Sequence, residues 1–346
     1  MSAAEEKNKL EFSLEPEKVL AWDDSDAEES LSLLIQKQKE CYFNTIRHFN
    51  DICVELKQKN KASADLLKDD IVEFISLFSE DDRMFLSLAN APYSYIYKTL
   101  NCKIYGIIVI HGINTMIYSL KIALALGVPE KRLPYICFAA ILRGLHLLEL
   151  NEDELVLAIF DDNTIDRISH SVNIADKYIR KLQIKELDMD IIIKLADGVN
   201  RIHSGMPAPD IDPNISQYAF IIYLCNEFEK LTHLHTSGKQ LSPVDAMKKL
   251  RDEMVGHFNS DIIKIFFNNL SIYPVGTYVK LSSGETAKII EINFNSLLRP
   301  VIMIVADSYG KRKNPPVKIN LREKPNLYIR KPVINEELTE EYIDLL

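Results

Sequence analysis

A mainly α-helical body followed by a small C-terminal β module is the fold class this sequence predicts. Three observations carry the prediction. Apolar residues recur at helical spacing from about residue 31 to 269. The texture then changes to short β-branched runs separated by glycine turns. With 346 residues, 47% of them hydrophobic, there is enough apolar surface for one large core and a smaller second unit.

Residues 1–30 hold ten acids, three bases and the only tryptophan, Trp22. So acidic a stretch is expected to be a flexible, solvated tail or a docking segment. Residues 31–100 follow as N-terminal helices. Leu31, Leu34 and Ile35, then Phe43, Ile46, Phe49, Ile52 and Leu56, then Leu66, Ile71, Phe74 and Leu77 mark two or three amphipathic faces. Residues 101–270 form the central helical domain. Tyr105 to Leu126 is apolar nearly all round, as expected of a helix at the centre of a bundle. Further helices are expected over 135–148, 155–160, 165–182, 189–202, 216–231 and 243–254, the last opened by Ser242 as N-cap and Pro243 at the first helical position.

Residues 271–333 form the β module, with strands expected over 277–281, 285–292, 301–305 and 317–321 around the Ser282-Ser283-Gly284 turn. Residues 334–346 close the chain as an acidic segment. The net charge of −9 argues against a general nucleic-acid binder, but it conceals poles: −7 over 1–30, +7 over 271–333 and −5 over 334–346. Without a signal-peptide pattern, and with no apolar run expected to be long enough to span a bilayer, the chain reads as cytoplasmic. Five cysteines, none in a CxxC pair, read as buried reduced thiols.

Candidate chemistry starts from the histidines. His111 lies in His-Gly-Ile-Asn, His170 in Ser-His-Ser-Val-Asn, and His233 and His235 flank a leucine. A metal site needs three or four such ligands converging from different helices, and no local spacing shows this. By themselves these histidines read as satisfied core or surface residues, with Asn114 the expected hydrogen-bond partner for His111. No HExxH, GxSxG, Walker or GxGxxG pattern occurs.

The β module supplies the stronger signal. Tyr273-Pro-Val-Gly-Thr-Tyr-Val-Lys-Leu-Ser-Ser-Gly-Glu, with Leu298-Arg-Pro-Val after it, resembles the tail that follows bacterial HD-GYP domains. The helical body over about 100–270 resembles the HD-GYP domain itself. Ala139-Ala-Ile-Leu-Arg-Gly-Leu lies where the family writes Ala-Ala-Leu-Leu-His-Asp-Ile, and Ser204-Gly-Met-Pro where it writes Ser-Gly-Tyr-Pro. Cys225-Asn-Glu-Phe-Glu-Lys-Leu-Thr aligns without a gap on Ala-Asp-x-x-Asp-Ala-Leu-Thr.

The resemblance implies a helical core that, in the family, holds two or three iron or manganese ions and hydrolyses cyclic di-GMP. Carried over residue by residue, it implies a degenerate site. His111 and His170 match ligand histidines. The naming His-Asp pair falls on Arg143 and Gly144, the double histidine and glutamate on Asp197, Gly198 and Val199, the bridging aspartate on Asn226, and the motif tyrosine on Met206. Arg143 places a permanent cation where the dications would sit.

The expectation is therefore a pseudoenzyme acting by binding, as a scaffold or regulator in bacterial signalling or in an envelope or motility machine. No catalytic residue and no cofactor are expected, and His111, His170 and Asp197 are vestigial metal positions. Arg143, Asp197, Ser204, Met206 and Asn226 are the candidate ligand-binding residues. Arg143 either clamps a phosphate of cyclic di-GMP or forms an internal ion pair with Asp197. The alternatives are a non-catalytic cyclic di-GMP sensor, or a phosphodiesterase whose reduced metal site is rebuilt for iron, manganese or zinc through His203, His233 or His235. Partners are expected to be proteins, through the basic β module or the acidic N-terminal segment, with neither nucleic acid nor membrane insertion.

Overall fold

The fold is taken from a computed structural model, which describes residues 24–100, 105–150, 172–203, 205, 213–233, 240–254, 260–270, 273–293 and 295–333. Eleven α-helices among these residues build the body. They are α1 (Asp24–Lys59), α2 (Asp65–Glu80), α3 (Arg83–Ala89), α4 (Tyr93–Leu100), α5 (Gly106–Ala125), α6 (Leu133–Leu142), α7 (Val172–Ile179), α8 (Met189–His203), α9 (Pro213–His233), α10 (Pro243–Met254) and α11 (Ser260–Leu270). A 3-10 segment, Arg143–Glu149, continues from α6. Two short strands, β1 (Ala62–Ser63) and β2 (Leu182–Gln183), pair in parallel beside the bundle.

α5 is the axis of the body, contacting α1, α3, α6, α9 and α11. It can come close to α6 because Gly112 lacks a side chain: a Cβ there would lie 3.2 Å from the Ile141 carbonyl oxygen. By length and composition Ile108–Ala125 is apolar enough to cross a membrane, which corrects the expectation that no run would be, but 78% of it is buried inside the body. Its apolarity is spent on the bundle core, where Ile110, Ile113, Met116, Ile117 and Tyr118 are fully buried.

α1 also departs from expectation, because its helix begins at Asp24, inside the stretch read as a tail. Ala27, Glu28 and Glu29 are residue types of high helix propensity. The buried Gln38 side chain of α1 donates to the Asp81 carbonyl at 2.5 Å and to the Leu77 carbonyl at 3.3 Å, tying α1 to the C-terminus of α2. Ser242 caps α10 as read: its hydroxyl accepts from the Asp245 N–H at 3.2 Å. The helices expected over 155–160 and at the start of 165–182 lie outside the described residues.

The β module is a five-stranded antiparallel sheet in the order β6-β5-β4-β3-β7, with β3 (Tyr278–Leu281), β4 (Thr286–Glu291), β5 (Val301–Ala306), β6 (Arg312–Asn320) and β7 (Ile329–Pro332). One face carries Val279, Leu281, Ala287, Ile289, Ile302 and Ile304, which pack with Leu321 into the module's own core. The other face carries the row Tyr278, Lys288 and Met303. Among the contacts that join the module to the body, two stand out. Asn90, after α3, donates to the Val275 carbonyl at 3.0 Å. Gly276, at φ +91°, lies so near α3 that a Cβ would meet the Ser87 Cα at 2.6 Å.

Candidate functional site

The site is built where α5, α9 and the α6/3-10 junction converge. The spacing Asn226, Glu229, His233 puts three polar side chains on one face of α9, otherwise apolar and buried. Glu229 is 0% exposed. Its carboxylate accepts from Tyr93 Oη at 2.5 Å and from Asn114 Nδ2 at 3.2 Å, and His111 Nδ1 hydrogen-bonds its other oxygen. His233 Nδ1 lies 3.5 Å from the same carboxylate. Asn114 is fixed in turn by Tyr42, whose hydroxyl donates to Asn114 Oδ1 at 3.2 Å. Burial pushes the Glu229 carboxyl up, but the adjacent His111 and the hydrogen bonds from His111 and Tyr93 outweigh it and hold it below the ordinary glutamate range.

The far nitrogen of His111 is also engaged. Nε2 lies 2.7 Å from Asn226 Oδ1 and 3.1 Å from the Arg143 guanidinium. Asn226 Nδ2 donates to Glu227 Oε1 at 2.9 Å, which orients the amide with its oxygen toward the imidazole. Burial lowers the Arg143 guanidinium to about 10, while Glu227 and Glu229 hold it up, so it remains a cation at neutral pH. Glu227 is pushed up by burial, yet the hydrogen bond from His203, with Lys230 and Arg143 nearby, brings it down to about 2. The site thus has its own anions and its own cation, closed into one network.

Of the residues singled out from the sequence, Arg143, Asn226 and His111 lie together here. Asp197 does not join them. It is half-buried on α8, where burial raises its pKa and Arg201 opposes the rise. The proposed Arg143–Asp197 ion pair is therefore replaced: Arg143 faces Glu227 and Glu229. Asn114 bonds Glu229 rather than His111 directly. His203 Nδ1 lies 3.3 Å from Glu227. Ser204, Met206, His170 and His235 lie outside the described residues.

Glu229, Glu227 and Tyr93 were missed by sequence reasoning. The signal for Glu229 was present, since the gapless register that sets Asn226 on the family's first aspartate sets Glu229 on its second. Tyr93 gave no signal, because it comes from α4, far away in the chain.

This arrangement does not fit the metal centre that the resemblance implies. A metal bound by His111 Nε2 would sit about 2.1 Å from that atom, in space bordered by a guanidinium and an amide. The glutamate that could have been a second ligand is already saturated by a tyrosine, an asparagine and a histidine. Among the described residues no group of three or more His, Cys, Asp or Glu side chains is disposed to hold a metal ion.

Residues 278–341 match the family model of a KOW domain associated with HD domain. Over 152 residues the chain is 24% identical to the cyclic di-GMP phosphodiesterase PA4108 of Pseudomonas aeruginosa, a match that takes in 44% of this chain. It covers only 36% of that protein's length. No solved structure matches the chain. The two matches support a relationship to HD-domain proteins, seen from the β module and from part of the body.

Proposed function

We propose that this chain is a catalytically silent HD-GYP-like protein that works by binding, as a scaffold or regulator of cytoplasmic bacterial signalling or of an envelope or motility machine. One observation carries the reading: the Arg143 guanidinium stands 3.1 Å from His111 Nε2, on the side of the imidazole where a metal would bind. Two-metal phosphodiester hydrolysis needs adjacent dications to polarise the phosphate and to generate hydroxide at neutral pH. A fixed guanidinium can bind phosphate, but it generates no hydroxide. Glu229 and Asn226 then act as core residues that close the vacated chemistry into a hydrogen-bonded plug.

The binding surface in this reading is the basic β module. Lys311, Arg312, Lys318, Arg322 and Lys324 are all exposed, and a surface of this sign selects acidic protein segments. The relative's name supports cyclic di-GMP as the ligand to test against the helical site. Because Arg143 is turned into the network of His111, Glu227 and Glu229, it is a poor free clamp for a cyclic dinucleotide.

The test is hydrolysis of cyclic di-GMP by the full chain with manganese or ferrous iron, together with calorimetric titration of the dinucleotide. The reading expects turnover no greater than buffer and no heat at tens of micromolar. Metal-dependent turnover that disappears in His111→Ala would overturn it, and heat that disappears in Arg143→Leu would replace the scaffold by a nucleotide sensor.

A further inference from the structure

The helical body and the β module also enclose a groove separate from the site above. Leu31 and Ile35 of α1 with Met84 and Ser87 of α3 form one wall, and Lys288 and Ile290 of β4 with Met303 and Val305 of β5 form the other. The cavity measures about 280 Å³. At about 30 Å³ for each water-sized group, that is room for on the order of nine heavy atoms.

Lys288 is the anomaly in this groove. It is 6% exposed, yet its ammonium makes no hydrogen bond or ion pair among the described residues. The Tyr278 ring lies 5.9 Å from Nζ, and the neighbouring charge is another cation, Lys39. Asp81 borders the groove but is clamped by Arg83, whose Nε lies 2.9 and 3.0 Å from its two oxygens. Ser87, 5% exposed, has a hydroxyl with no partner either. The lysine is largely desolvated while lining the groove, so an anion lodged there would supply the partner that its ammonium lacks. A concave, mainly apolar cavity with one or two unsatisfied donors has the composition of a small-molecule site rather than of a packed domain joint.

We propose that this groove binds an amphiphilic carboxylate, its head group accepting from Lys288 Nζ and its apolar body lying against Leu31, Ile35, Met84 and Met303. Lys288 supplies the charge that selects an anion over an alcohol or an amine of equal length. The groove volume matches a short chain or a single ring system. Because both walls contribute, the bound molecule bridges the helical body and the β module.

The experiment is calorimetric titration of the full chain with sodium octanoate, whose ten heavy atoms match the cavity, against 1-octanol and octylamine. Saturable octanoate binding is expected, with octanol and octylamine at least about ten-fold weaker. Lys288→Met should lose about ten-fold in octanoate affinity while melting no lower than the parent, since it replaces an unpaired buried amine with an apolar side chain of similar length. Leu31→Glu, at a position 45% exposed and therefore tolerant, should weaken octanoate by setting a second carboxylate at the rim. The proposal is overturned by the absence of saturable octanoate binding up to about 5 mM. Equal affinity for octanoate and octanol, or undiminished octanoate affinity in folded Lys288→Met, would also overturn it.

Discussion

Arg143 and His111 stand 3.1 Å apart, guanidinium to Nε2, and that contact sets the character of the helical core. A cation and an imidazole thus meet inside the bundle. Around them Glu229, Glu227 and Asn226 complete a buried hydrogen-bonded network.

Glu229 is the residue on which this network most depends. Removing one partner from a buried charged cluster typically costs about 3–5 kcal/mol, and Glu229→Ala would strand Tyr93, Asn114 and His111 together. We expect a loss of that order in urea unfolding. Asp197→Asn should differ: burial already disfavours the Asp197 charge, so the substitution is expected to be neutral or slightly stabilising.

Acid sensitivity should trace to Glu227. Its folded pKa of about 2 lies below the ordinary 4.5, so between those values the unfolded chain binds more protons. Its contribution is complete above pH 4.5 and is lost as the pH falls toward 2. The slope from this group is limited to about 1.4 kcal/mol per pH unit. Glu227→Gln should flatten that limb in unfolding measured from pH 5 to 2.

Lys288 should produce a dependence of the same sign at alkaline pH. Burial, with Lys39 nearby, lowers it to about 7 from 10.5. Between those values the unfolded chain again holds more protons, so stability should rise with pH from 7 to 10.5, with a slope of at most about 1.4 kcal/mol per unit. Chemical denaturation of Lys288→Met across that window should lack this rise; an unchanged slope would assign it to another group.

The joint between body and module should be intolerant of a methyl group at position 276. Gly276 sits at φ +91°, and a Cβ would meet the Ser87 Cα at 2.6 Å. Left-handed backbone alone costs a non-glycine residue about 1–2 kcal/mol, and the clash with α3 adds to it. Gly276→Ala is therefore expected to lower stability by about 2 kcal/mol or more, while Gly127→Ala, with a positive φ but open space, should show only the backbone part.

Much of the architecture was legible because it rests on periodicity. The core face of α1 and the all-apolar α5 follow from spacing, and strands β3 to β5 from short β-branched runs bounded by turn residues. Several elements were not individually legible, among them the short helices α3 and α4, the helix α11 and three strands. β7 exposes half of its four residues and ends on Pro332, and β1 and β2 are two residues each, so none carries a pattern. The acidic start of α1 was misread because charge density was weighed against packing and not against helix propensity. At the site, the family resemblance implied a degenerate metal centre, but the carboxylates that neutralise Arg143 depend on how α9 rotates against α5. That rotation is set by tertiary packing, and it brings Glu229 rather than Asp197 to the network.

Elemental analysis of the full chain, purified without chelator and then dialysed against manganese, iron or zinc, tests the central claim most directly. The account predicts well under one equivalent of any of these metals, with the melting temperature unmoved by their addition. One or more equivalents, lost in His111→Ala, would contradict it.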